Sequence, residues 1–176
     1  EQQEELDKAR ADLDSIIALD PKEADNYTFR GDFFQRHQQF EKALADYTQA
    51  IALQPSWGGT YFSRALVFRD SGKLDSALAD LNKAIGLEPD IFYYASRADV
   101  YQSMKQYDLA LADYNKAITA YPERIEFYLK RANVYLEQQR IDLARADFEY
   151  ILQKTKDNDL KRQAQEKLDT LPKLNG

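Results

Sequence analysis

The apolar residues of this chain recur with two superposed periods. Over short stretches they return every three or four positions, as in Tyr27, Gly31 and Phe34 or in Leu44, Tyr47, Ala50 and Ile51. That is the spacing of one helix face, not the alternation of a strand. Over a longer range the whole pattern returns. Pro21, Pro55, Pro89 and Pro122 are separated by 34, 34 and 33 residues. Each period holds two helical segments joined by a short polar turn such as Ser71-Gly72-Lys73. The proline then blocks continuation of the second segment, since it lacks an N–H and its ring clashes with the preceding turn. A fixed period of this size predicts a stack of helix–turn–helix units.

The register predicts full units over 24–57, 58–90, 91–124 and 125–158, with a half-unit over 1–23 and a terminal helix over 159–171, all in one domain. The fourth position reads Tyr27, Tyr61, Tyr94, Tyr128, and the eighth reads Gly31, Ala65, Ala98, Ala132. The eleventh is aromatic throughout (Phe34, Phe68, Tyr101, Tyr135), and the twentieth is always alanine (Ala43, Ala77, Ala110, Ala144). The twenty-fourth reads Tyr47, Leu81, Tyr114, Phe148, and the twenty-seventh reads Ala50, Ala84, Ala117, Ile151. Small residues at the eighth position let the paired helices approach, and the aromatics fill the space between them. One pair cannot bury such a face alone, whereas a stack can. Asp75, Asp108 and Asp142 open second helices, where an acid complements unpaired backbone N–H groups.

The seventh position is always arginine (Arg30, Arg64, Arg97, Arg131), and sixteen residues later there is always an aspartate (Asp46, Asp80, Asp113, Asp147). The matched acid in every copy predicts a ladder of Arg–Asp pairs, within a unit or to the next, rather than a basic track for an anionic ligand.

The stretches YFSRALVFRDSGKLDSALADLNKAIGLEP and YYASRADVYQSMKQYDLALADYNKAITAYP carry the order aromatic, small residue, aromatic, Ala, Ala, Pro. This pattern resembles the tetratricopeptide repeat family over residues 24 to 155. That family more often has leucine at the seventh position. The fourth unit also departs from it, with Lys156 in the proline's place and Ile151 for alanine. The resemblance implies an all-α fold, an α-α superhelix: a right-handed solenoid of antiparallel helix pairs. It also implies a non-catalytic scaffold that binds a peptide or helix of a partner along the first helices, in a concave groove. The positions that would line it are the second, fifth, ninth and twelfth. In this sequence they are Asp25, Thr28, Asp32 and Gln35; Gly59, Phe62, Leu66 and Arg69; Phe92, Ala95, Asp99 and Gln102; Glu126, Leu129, Asn133 and Leu136. Family members that clamp acidic chaperone tails use Lys at the fifth position and Asn or basic residues at the ninth. Only Asn133 fits, so no acidic-tail ligand is expected. Apolar anchors among acids point instead to a partner with apolar and basic character. Trp57, at the end of the first unit, is read as packing between units. An accessory repeat domain of a larger enzyme or sensor is the alternative reading.

The two ends fall in the same register. Ala9, Leu13, Ile16 and Pro21 take the twentieth, twenty-fourth, twenty-seventh and thirty-second positions, which makes residues 1–23 a second helix without its first. Such a helix is expected to leave apolar surface around Leu6, Leu13 and Ile17 uncovered. The chain is then either cut from a longer protein or never needed the first helix, and a homodimer through this face is one way to cover it. At the other end Leu160, Ala164, Leu168 and Leu171 form a narrow stripe with charged residues outside, the pattern of a capping helix, with Pro172 and Gly176 marking its end.

Composition narrows the function further. The net charge of −6 arises in residues 1–25, which hold nine acids and three bases. No basic stripe exists to neutralise phosphates, so nucleic acid is not an expected partner. There is no cysteine, which removes disulfides and thiolate sites. No apolar run reaches the ~18 residues of a membrane span. The single histidine, His37, has no nucleophile or ligand set around it in the sequence, and no phosphate loop or hydrolase motif appears. No cofactor, metal or enzymatic activity is expected.

Overall fold

The computed structural model describes residues 2–172. Glu1, counted among the N-terminal acids, and Gly176, read as an end marker, lie outside the described residues. Those residues form ten α-helices and no strand: α1 (Gln2–Leu19), α2 (Ala24–Arg36), α3 (Phe40–Leu53), α4 (Gly58–Asp70), α5 (Leu74–Leu87), α6 (Ile91–Ser103), α7 (Tyr107–Ala120), α8 (Ile125–Glu137), α9 (Ile141–Lys154) and α10 (Asn158–Thr170). The fold is all-α, as the period predicts. The chain divides into two compact units, with the boundary between Tyr93 and Tyr94.

Each turn between paired helices is the same device. Gln39 N–H donates to Phe34 C=O while Gln38 N–H donates to Gln35 C=O, and the pattern recurs at Lys73/Gly72, Gln106/Lys105 and Arg140/Gln139. This is the Schellman closure, which satisfies carbonyls left over at the helix end and needs a left-handed residue. Gly72 supplies it at φ 73°, but Gln38, Lys105 and Gln139 adopt φ 57–59° with a side chain in place. The second helices begin without a side-chain cap bond, so Asp75, Asp108 and Asp142 act in the first turn through the helix dipole.

In the first unit Phe33, Phe34, Ala43, Tyr47 and Val67 form a buried cluster on which Leu6, Ala9 and Leu13 of α1 pack. This corrects the expectation for α1. Leu6, Leu13 and Ile17 are half-buried, and the uncovered apolar residues are Ile16 and Leu19, 46% and 86% exposed. The reason is that α2 already covers one side of α1. In the second unit Ala98, Ala110, Leu111, Tyr114 and Val134 form the matching cluster. Val67 and Val134, at the tenth position, carry each cluster from one repeat into the next. Helix α10 is capped by the Asp157 carboxylate, which accepts from the Asp159 and Leu160 N–H groups, and it buries Ala164 completely.

Candidate partner-binding site

The arginine ladder forms within each repeat. Arg30 donates Nε and Nη2 to the two oxygens of Asp46 at 2.8 Å each, and Arg64 does the same to Asp80 at 2.7 and 2.8 Å. Arg97 pairs with Asp113 at 2.7 and 3.0 Å, and Arg131 with Asp147 at 2.9 and 2.6 Å. Such forked pairs fix orientation as well as charge. Each guanidinium lies between the rings of the fourth and eleventh positions, for example 5.4 and 5.8 Å from Tyr128 and Tyr135. The bond to Asp46, followed by the bond to Asp14, holds the Arg30 pKa above its ordinary value despite partial burial. The remaining Nη1 reaches the preceding repeat: Arg30 to Asp14, Arg64 to Thr48, Arg131 to Asn115. The aspartates follow from the sequence spacing; this second set, which varies among Asp14, Thr48 and Asn115, does not.

The expected groove residues lie on the first helices and split between the two units. In the first unit Asp25, Thr28, Asp32 and Gln35 are half-buried on α2, and Phe62, Leu66 and Arg69 are half-buried on α4. Thr28 and Thr60 hydroxyls stand 3.5 Å apart across these helices. Phe62 packs on Tyr93 with ring centroids 4.8 Å apart, so part of it is committed to packing. Phe92 is 45% exposed. Gly59 is covered by the ring of its neighbour Trp57, and Ala95 is buried. Trp57, read as packing between units, instead lies half open to solvent over Gly59.

Two expected acids have internal work. The Tyr47 hydroxyl donates to Asp32 at 2.6 Å, with Gln35 Oε1 at 2.8 Å. Burial, then the Asp32 bond, raises the Tyr47 pKa strongly. Asp99 accepts from the Tyr114 hydroxyl and from Lys130 Nζ at 2.6 and 2.8 Å. An aspartate stands at the ninth position only where tyrosine stands at the twenty-fourth. In the other two repeats Leu66 goes with Leu81, and Asn133 with Phe148. That pairing was present in the sequence as a spacing of fifteen residues.

In the second unit Gln102, Asn133 and Leu136 come together with Glu137 and Lys167 around an open cleft of about 400 Å3. Gln102 Nε2 donates to Glu137 Oε1 at 2.6 Å across it. Leu129 is half-buried on the same helix as Asn133. Glu137 and Lys167 were not foreseen, since Lys167 arrives from α10, outside the repeat register. Among the described residues no cluster of His, Asp and Glu could hold a metal ion, and no helix is long and apolar enough to cross a membrane.

No curated protein sequence matches the chain. Solved structures match it closely in shape. MamA from Desulfovibrio magneticus RS-1 aligns at TM-score 0.80 and 15% identity, covering 92% of this chain and 88% of its own. YrrB, a TPR protein with an unusual peptide-binding site, aligns at TM-score 0.77 and 17% identity, covering 94% and 86%. TTC0263, a thermophilic TPR protein from Thermus thermophilus, aligns at TM-score 0.74 and 22% identity, covering 93% and 90%. The family model for the tetratricopeptide repeat matches residues 30–90 and 96–159, most of the chain. With the repeated helical hairpins, this establishes that the chain belongs to the tetratricopeptide repeat family.

Proposed function

We propose that this chain is a non-catalytic scaffold whose first-helix faces bind a peptide or helix of a protein partner, in an adaptor or assembly role. The observation that carries the reading is the cleft of Gln102, Asn133, Leu136, Glu137 and Lys167, where three residues expected from the repeat register converge. The peptide-binding site described for YrrB, a protein of the same fold, supports it. On α4 and α8 the apolar groups Phe62, Leu66, Leu129 and Leu136 are the anchors, and such groups dominate binding energy where they become fully desolvated. Asp32 and Asp99 are tied to tyrosines, so Asp25 and the exposed Glu126 are the acids that select a basic ligand.

Panning a displayed random-peptide library against the full chain tests this. Enriched peptides should combine apolar and basic residues. Enrichment should disappear with Leu66→Arg or Leu136→Arg while the melting temperature stays within a few degrees. Peptides retained equally by both variants, or a collapse in stability that parallels the loss of binding, would count against the surface.

A further inference from the structure

Trp57 is the one tryptophan of the chain, and it fills a place that the repeat register leaves to glycine. The second position of the groove carries a side chain in three repeats, as Asp25, Phe92 and Glu126, and none in the repeat of Gly59. The indole reaches that gap from the loop before α4. A Cβ on Gly59 would collide with Trp57 Nε1, with Cδ1 and Cε2 close behind. The pyrrole edge is thus lodged against the first turn of α4, while the residue stays 45% exposed. The rings beside the arginine ladder hold a cation: Arg64 lies 5.9 and 5.7 Å from Tyr61 and Phe68, and Arg97 lies 5.5 and 5.6 Å from Tyr94 and Tyr101. Among the described residues no cation lies on Trp57, although indole is the ring that attracts one most strongly.

The surroundings supply charge of one sign. From Gln54 to Ser63 the chain carries no charged side chain. Asp25 is half-buried on α2, and among the described residues its carboxylate has no polar partner. The Thr28 and Thr60 hydroxyls, 3.5 Å apart, bring α2 and α4 together one turn beyond Asp25, so Asp25 and Trp57 share this end of the groove. Behind the same turn the exposed Glu88 packs on Gly58, with Cγ and Oε1 each 3.0 Å from where a Cβ would stand. All of these residues lie in the first compact unit.

We propose that Trp57 and Asp25 form an arginine-binding subsite: an arginine of the partner lays its guanidinium on the indole face and pairs with the Asp25 carboxylate. This rests on the first-helix faces being the partner surface, and it adds which side chain the partner presents and where. The chain uses the same arrangement internally, where Arg64 lies between rings with its fork on Asp80. A planar guanidinium satisfies ring and carboxylate together, whereas an ammonium is a strongly hydrated point charge. Glu88 adds attraction at longer range, its carboxylate being engaged by the Tyr93 hydroxyl at 3.1 Å.

The probes are two acetylated tripeptide amides, Leu-Arg-Leu and its citrulline counterpart, which keeps the shape and loses the charge. Each is titrated at low salt into the isotope-labelled full chain, where the single indole N–H resonance reports on Trp57 directly. The arginine peptide should shift that resonance and the Asp25 amide. The citrulline peptide should bind about threefold to fivefold more weakly, the scale of a cation–π contact at an exposed site. Trp57→Leu should erase the difference although it keeps an apolar side chain, and Trp57→Phe should retain part of it. Asp25→Asn should also reduce it. Melting temperatures of the variants confirm that the fold is kept. An unmoved indole resonance, equal affinity for the two peptides, or a difference that survives Trp57→Leu would overturn the subsite. The partner surface is judged separately: library peptides lost with Leu66→Arg would uphold it even where arginine and citrulline bind alike.

Discussion

Arg64 shows what one side chain does in this protein. Its fork on Asp80 is largely buried, and its Nη1 reaches Thr48 on the surface. Removing the acid strands a cation among aromatic rings, whereas removing the hydroxyl exposes the guanidinium to water it already touches. Asp80→Ala should therefore cost about 2–3 kcal/mol, below the full penalty for a deeply buried pair because Arg64 keeps some exposure. Thr48→Ala should cost under about 0.5 kcal/mol. Urea midpoints of the two variants check the contrast, and equal losses would refute it. The pair was legible in the sequence because both partners recur in every copy at one spacing. The Tyr47–Asp32 and Tyr114–Asp99 bonds obey a constant spacing too, but they occupy two copies of four, and there the aspartates look like groove residues.

At the scale of the element, the turns carry a cost that only the backbone reveals. Gln38, Lys105 and Gln139 hold left-handed φ values that glycine adopts without strain. Lys105→Gly and Gln139→Gly should each stabilise the protein by about 1 kcal/mol, and Gly72→Ala should destabilise it by a similar amount. Thermal unfolding of the three variants checks the signs. Helix positions were readable from period and proline, since tight packing of small and aromatic residues leaves little choice of register. The surface of α1 was not. Its pattern marks an apolar stripe, but which part of the stripe α2 covers depends on how helices pack, and so Leu6 and Leu13 were expected in the open and are instead packed. Lys167 escaped for the same reason, since α10 follows no repeat register.

For the whole molecule, tyrosine packing sets an alkaline limit. Burial, and then the Glu88 bond, pushes Tyr93 up to about 12, and burial with its Tyr150 neighbour pushes Tyr128 up to about 12, from an ordinary 10.0. The folded state thus holds protons that the unfolded chain gives up, so this stabilisation is complete below pH 10 and fades as pH rises toward 12. Urea midpoints should fall steadily across that window. Tyr128→Phe should flatten the decline, and an unchanged slope would rule the tyrosine out. Both compact units should respond, as one of these groups lies in each. Removal of α10 should strip the cover it provides to α9 and lower the stability of the second unit, which a lower urea midpoint would show.

The outer arms of the arginines have a consequence for how the protein comes apart. Asp14, Thr48 and Asn115 each belong to one repeat and hold the arginine of the next. Every hairpin is satisfied internally without them, yet its arginine is steadied by the neighbour before it. Each such bond is lost whichever of its two repeats opens first, so it couples neighbours equally in both directions, and an opened repeat loosens those on either side of it. Hydrogen exchange should show it: Thr48→Val should speed exchange slightly, and to a similar degree, in α3 and α4.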